Sequence, residues 1–193
     1  MIRRRAPGSI FYVVGPSGAG KDTVINLARR QCPPEAALTF AHRYITRPPD
    51  SSGENHIFLT EQEFERRENY GCFALTWQAN GLRYGIGVEV DAWLQKGLNV
   101  VVSGSREHVA ALRRRYPSAR LIRITAPEHV LRVRLLGRGR EPIDEVERRL
   151  ERARLYDVER SSVDLDLVND ADPETTAGYL LHHMLESSIA RLF

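Results

Sequence analysis

The chain predicts an α/β domain, a parallel central sheet flanked by helices, on three observations. A continuous apolar run, Ile10-Phe11-Tyr12-Val13-Val14, passes through a glycine-rich turn into a helical pattern. A second run, Asn99-Val100-Val101-Val102, lacks the alternation of a half-exposed strand and suits burial on both faces of a parallel sheet. Strands and helices then alternate at the pitch of right-handed βαβ units.

The first run ends in Gly15-Pro16-Ser17-Gly18-Ala19-Gly20-Lys21-Asp22-Thr23. The spacing from Gly15 to Gly20-Lys21 is that of a phosphate-binding loop (P-loop). Its glycines let backbone N–H groups curl around phosphate, and the helix start behind it adds positive potential. A lysine at a helix start opposes the macrodipole unless an anion is present, which a mere connecting turn does not explain. Lys21 is therefore expected to reach the terminal phosphates of a nucleotide. The strict pattern continues with a Ser or Thr that holds Mg²⁺. Asp22 stands there instead, and a carboxylate serves a hard cation directly or through water.

Thr23 to Cys32 carries apolar residues at helix spacing, and Pro33-Pro34 ends it. Leu38 to Ala41 is a short strand that delivers His42 to Arg47, before a loop at Pro48 to Gly53. Arg43 and Arg47 share a face if extended, either converging on one anion or standing as solvated charges. After Ile57-Phe58-Leu59, Thr60 and Glu63 have the form of a capping box opening a helix through Asn69. Phe73 to Trp77 and Leu82 to Ile86 form a hairpin turning at Asn80-Gly81, with Arg83 and Tyr84 as its polar tips. With residues 42–59 this hairpin makes a small β-rich lobe, and residues 88–96 return to helix.

Ser103-Gly104-Ser105-Arg106 lies at the C-terminal end of the second apolar run, where ligands of open α/β sheets sit. Glu107 to Tyr116 is helical, Arg120 to Thr125 is a strand, and Pro127 opens a helix that runs to Leu136. Arg138-Gly139-Arg140 separates it from a helix at Ile143 to Val158. The glycine-flanked arginines read as a mobile lid over phosphates or as a solvated turn. Leu165 to Val168 is the last strand, Asn169-Asp170 follows it, and Pro173 begins the terminal helix.

At 193 residues, 42% apolar and 27% charged, the composition is that of an ordinary single globular domain. No apolar run approaches the ~20 residues of a membrane span, and Met1-Ile2-Arg3-Arg4-Arg5 does not lead into a signal-type stretch. A cytoplasmic location and no membrane partner are expected. The net charge of +3 does not indicate a nucleic-acid binder. Cys32 and Cys72 have no metal-ligand spacing and are expected to be reduced. Of 28 basic residues only Lys21 and Lys96 are lysines. Planar arginines suit phosphate oxygens, although a codon bias explains most of them.

The whole chain resembles the guanylate-kinase-like branch of P-loop kinases, through Gly-Pro-Ser-Gly-Ala-Gly-Lys, Thr46-Arg47-Pro48-Pro49, Gly53-Glu54, Tyr84-Gly85, Arg138-Gly139 and Asn169-Asp170. Within that branch it is most similar to the ribose 1,5-bisphosphate phosphokinases of phosphonate catabolism, through His42 to Arg47, Glu54 to Ile57, Asn80 to Gly85, Ser103 to Arg106 and Arg138 to Glu141. The resemblance implies a P-loop core (residues 9–41 and 88–193), an acceptor-binding lobe (42–87) and a lid (137–147). It also implies transfer of the γ-phosphoryl of ATP, with Mg²⁺, to the 1-phosphate of a phosphorylated sugar, ribose 1,5-bisphosphate.

On that basis Lys21, Arg138 and Arg149 are expected to screen the transferring group, and the loop Gly15 to Thr23 with Asn169 to hold ATP. Arg43, Arg47, His56, Arg83, Tyr84, Ser103 and Ser105 are expected to hold the acceptor, with Asp22 near the metal and Arg140 on either side. Where guanylate kinases carry a guanine-reading glutamate, gapless alignment through Gly81 and Tyr84 places Leu75. Leaving the base's N–H groups unpaired there costs about 1–3 kcal/mol. Their acidic pair after the later strand becomes Ser103 and Ser105. A nucleoside-monophosphate kinase reading its base through Gln78 or the backbone, and a binding module without catalysis, stand as alternatives. A homodimer is left open.

Overall fold

The computed structural model describes residues 6–48, 56–137, 142–155, 158 and 162–189. From the N-terminus run β1 (Ile10–Val14), α1 (Lys21–Gln31), β2 (Leu38–Phe40), β3 (Arg43–Ile45), β4 (His56–Phe58), α2 (Glu61–Asn69), β5 (Phe73–Ala79), β6 (Leu82–Gly87), α3 (Glu89–Gln95) and β7 (Asn99–Ser103). After a 3₁₀ turn (Arg106–His108) follow α4 (Val109–Arg115), β8 (Arg120–Thr125), α5 (Glu128–Gly137), α6 (Ile143–Leu155), β9 (Leu165–Val168) and α7 (Pro173–Ile189).

The central sheet has the order β2-β7-β1-β8-β9, and all its pairings are parallel. Every residue of β1 and β7 is buried, which is why neither alternates in sequence. Strand parity divides β1 between two cores. Phe11 and Val13 pack with residues of α1, α5, α6 and α7, whereas Ile10, Tyr12 and Val14 pack with Val90 of α3 and Leu112 of α4. β1 sits between β7 and β8, so the chain leaves it first to one side and later to the other. The loops after β1 and β7 therefore meet at a topological switch point, where open α/β sheets bind ligands.

A second sheet, β4-β3-β6-β5, is built from residues 43–87. Its hairpin turns through Asn80 (φ 52°) and Gly81 (φ 72°), the paired left-handed geometry of a type I′ turn. Ala79 pairs with Leu82, so β5 runs two residues past the expected end at Trp77. Thr60 caps α2 by accepting from the Glu63 N–H at 3.1 Å. Ala74, Leu75 and Ile86 of the hairpin are buried with Tyr12 and Val102, which seats the small sheet against the central one.

Two further expectations change at this level. The helix expected from Glu107 divides into the 3₁₀ turn and the shorter α4. Tyr84 is no polar tip, because parity turns it inward, where it is 8% exposed. The Arg138-Gly139-Arg140 lid lies outside the described residues. No helix among the described residues is long and apolar enough to cross a membrane.

Candidate functional site

The loop after β1 makes its turn with Gly18 (φ 87°) and Gly20 (φ 78°), a backbone region that side chains rarely adopt. Gly20 leads straight into α1, whose first residue is Lys21, and the Val24 N–H donates to the Gly20 carbonyl at 3.0 Å. A Cβ on Gly20 would lie 2.5 Å from Asn169 Nδ2. Asn169 is 1% exposed and braces the loop from behind. Its Nδ2 donates to the Ala19 carbonyl at 2.8 Å, and its Oδ1 accepts from the Thr176 hydroxyl at 3.3 Å. Arg134 donates to the carbonyls of Asn169 (2.9 Å) and Ala19 (3.5 Å). The geometry therefore gives Asn169 a buttressing place rather than one at the cleft surface. Asn169→Ala is expected to lower stability by about 1–3 kcal/mol, measured by urea unfolding, and to weaken nucleotide binding with it.

On the open side of the loop, charges are knotted together. Asp22 Oδ1 accepts from Lys21 Nζ (3.1 Å), Arg43 Nη2 (2.8 Å) and Ser103 Oγ (2.9 Å), and Lys21 Nζ also donates to Ser103 Oγ. Burial alone would raise the Asp22 carboxyl. The Lys21 and Arg43 cations and the Ser103 hydroxyl overrule it and hold the group well below the usual carboxylate range. A depressed carboxyl favours the folded state above its unfolded value near 4, and that contribution is lost only as pH falls through the folded one. Between pH 5 and 8 Asp22 therefore stays ionised and adds no inflection to a rate profile.

A cleft of about 600 Å³ opens over this knot. It brings together Gly15, Pro16, Ser17, Gly18, Gly20, Lys21, Asp22 and Thr23 from the loop and α1, Arg43 and Arg47 from β3 and just beyond it, Tyr84 from β6, Ser105, and Arg149 from α6. The even spacing of Arg43 and Arg47 thus places both in one cavity. Tyr12 supports the segment after β7, since its phenol oxygen accepts from the Ser105 N–H at 3.0 Å. Burial pushes that phenol up to about 12, so it stays protonated.

Other expected residues fall elsewhere. Arg83, the neighbour of Tyr84, must face the opposite side of β6. There it pairs with Glu68 and lies 4.7 Å over the Phe64 ring, so it does not line the cleft. His56 Nε2 sits 3.0 Å from the Arg47 carbonyl, beside the backbone that carries Arg47. Ser103 is 8% exposed and lies beneath the knot, touching Lys21 and Asp22. Ala19 is wholly buried, and Arg138 is outside the described residues.

The cleft also holds residues that the sequence reading did not single out, among them Trp77, Arg106, Glu107 and Arg152. Arg106 donates to the Ala153 carbonyl at 3.2 Å. That carbonyl is in the last turn of α6, where acceptors lack helical partners, so Arg106 ties the loop after β7 to the helix bearing Arg149. Strand parity, the same signal that removes Arg83, would have found Trp77 opposite Tyr84.

The family model described as Guanylate kinase matches residues 9–186. Curated relatives bearing the name "Ribose 1,5-bisphosphate phosphokinase PhnN" include one from Thiobacillus denitrificans, 47% identical over 165 residues, which are 86% of this chain and 86% of the relative. Another, from Desulfomicrobium baculatum, is 50% identical over 150 residues, which are 78% of this chain and 80% of the relative. Among solved structures, guanylate kinase from Anaplasma phagocytophilum matches with a TM-score of 0.71 and 19% identity, covering 96% of this chain and 88% of that one.

Proposed function

The chain belongs to the guanylate-kinase family, in its ribose 1,5-bisphosphate phosphokinase group, and from that premise we propose that it transfers the γ-phosphoryl of ATP to the 1-phosphate of ribose 1,5-bisphosphate. The products are 5-phospho-α-D-ribose 1-diphosphate and ADP. The observation that carries this reading is the knot through which Arg43 of the small sheet and Lys21 of the phosphate loop share one Asp22 oxygen. It holds the cations for donor and acceptor against each other.

The chemistry needs little else. A sugar phosphate has a second pKa of about 6, so its attacking oxygen is already largely ionised and needs no strong base. The obstacle is repulsion between two anions, which must be aligned and neutralised. Lys21, Arg149 and the backbone of the loop face the donor phosphates, and Arg43 and Arg47 face the acceptor. Leu75 is 5% exposed within an apolar cluster, which leaves that position with no group to accept a base's N–H.

Asp22, Thr23 and Ser105 supply hard oxygen donors with a single carboxylate, a set that suits Mg²⁺ shared with phosphate and water. The ion, when bound, adds neutralising charge on the phosphates. Lys21 and Arg43 flank the same carboxylate, so the metal is expected to enter with the nucleotide rather than before it. Asp22→Ser is expected to shift the Mg²⁺ concentration for half-maximal rate several-fold, and an identical titration would discard the role. The whole reading is tested by offering purified protein and ATP with ribose 1,5-bisphosphate and GMP in parallel. A sugar diphosphate product identified by mass supports it, and GDP alone overturns it.

A further inference from the structure

The inner face of the small sheet is apolar and aromatic. Leu75 pairs with Ile86, Trp77 with Tyr84 and Ala79 with Leu82, and these six side chains share one face. The outer two pairs line the cleft. Trp77 lies parallel to the Tyr84 ring, with centroids 5.4 Å apart and 3° between planes. The His108 ring, from the turn after β7, approaches the same indole at 5.9 Å. Burial and the Arg114 charge push the His108 pKa down, so a neutral imidazole packs there at neutral pH. The indole is thus wedged between Tyr84 of the small sheet and the turn after β7.

Indole and purine share the same nine-membered bicyclic outline, and a parallel seat on an aromatic ring is how a nucleobase is held by stacking. Resting on the reading of a sugar bisphosphate as acceptor, we infer that Trp77 is a specificity-determining residue. Its indole fills the part of the acceptor pocket that a purine would otherwise take, and leaves a space bounded by Arg43 and Arg47 that fits a phosphorylated sugar. The absence of a base-reading group at Leu75 withholds recognition, whereas Trp77 acts earlier, by occupying the volume. Arg43 lies 5.9 Å from the Tyr84 ring centroid, so the same aromatic pair also steadies an acceptor-side cation.

The test titrates GMP and AMP calorimetrically into the wild type and Trp77→Ala, and measures KM and kcat for ribose 1,5-bisphosphate with both. The variant is expected to bind purine monophosphates about tenfold more tightly, within what stacking on an exposed aromatic ring supplies. Its sugar KM is expected to rise several-fold with kcat changed less, a split that general loosening of the fold would not give. Equal purine affinities in variant and wild type, or tight GMP binding by the wild type, would overturn the inference. Should the alanine variant not melt cooperatively, Trp77→Leu keeps apolar bulk without the bicycle and is read in the same way. The purine comparison needs no turnover. A wild type inert toward the sugar therefore overturns the reading of the acceptor, while a gain in purine binding still supports Trp77 as the occupant.

Discussion

Replacing Lys21 by alanine is expected to lower kcat by about 10³-fold, the scale on which a single preorganised cationic or hydrogen-bonding group acts on developing charge in phosphoryl and acyl transfer. Lys21 Nζ lies within reach of both Asp22 and Ser103 at the mouth of the glycine loop. In its absence Asp22 keeps Arg43 at 2.8 Å and Ser103 at 2.9 Å, so no carboxylate is left without a partner. Folding is therefore expected to survive, and the thermal midpoint should stay close to that of the wild type. Steady-state rates at saturating ATP and acceptor, with a melting curve on the same sample, check both halves. Unchanged turnover would remove the loop from the mechanism.

Arg47→Ala is expected to raise the acceptor KM about 10- to 100-fold, as loss of a charge-assisted hydrogen bond to phosphate does, with the ATP KM within about twofold. Arg47 stands just beyond β3 of the small sheet, lines the cleft, and has its carbonyl in contact with His56. The ratio of the two KM effects is the informative quantity. Equal losses for both substrates would move Arg47 to the transferring group or to general support of the cleft.

The central sheet was legible because its strands announce themselves locally. β1 is an uninterrupted apolar run and β7 carries three successive valines, and β8 and β9 end where the sequence places them. The phosphate loop is equally local, since its glycines, lysine and following helix are contiguous. What the sequence concealed depends on facing and on distance along the chain. Arg83 and Tyr84 are adjacent, so no more than one could enter the cleft, and a period-two reading of the hairpin would have chosen Tyr84 and brought Trp77 with it. Arg106 gains its place through a carbonyl 47 positions further on. Asn169 is separated from Ala19 by 150 residues, and its role as a brace becomes visible only when β9 is laid beside β8.

That last separation bears on how the protein becomes competent during synthesis. The glycine loop leaves the ribosome well before its rear support, which arrives with Asn169 and Thr176, and α1 shares its core with Ala177, Leu180 and Met184 of α7. A growing polypeptide halted after β8 would carry the motif without the scaffold that shapes it. ATP should therefore be captured only once α7 has been made and has docked.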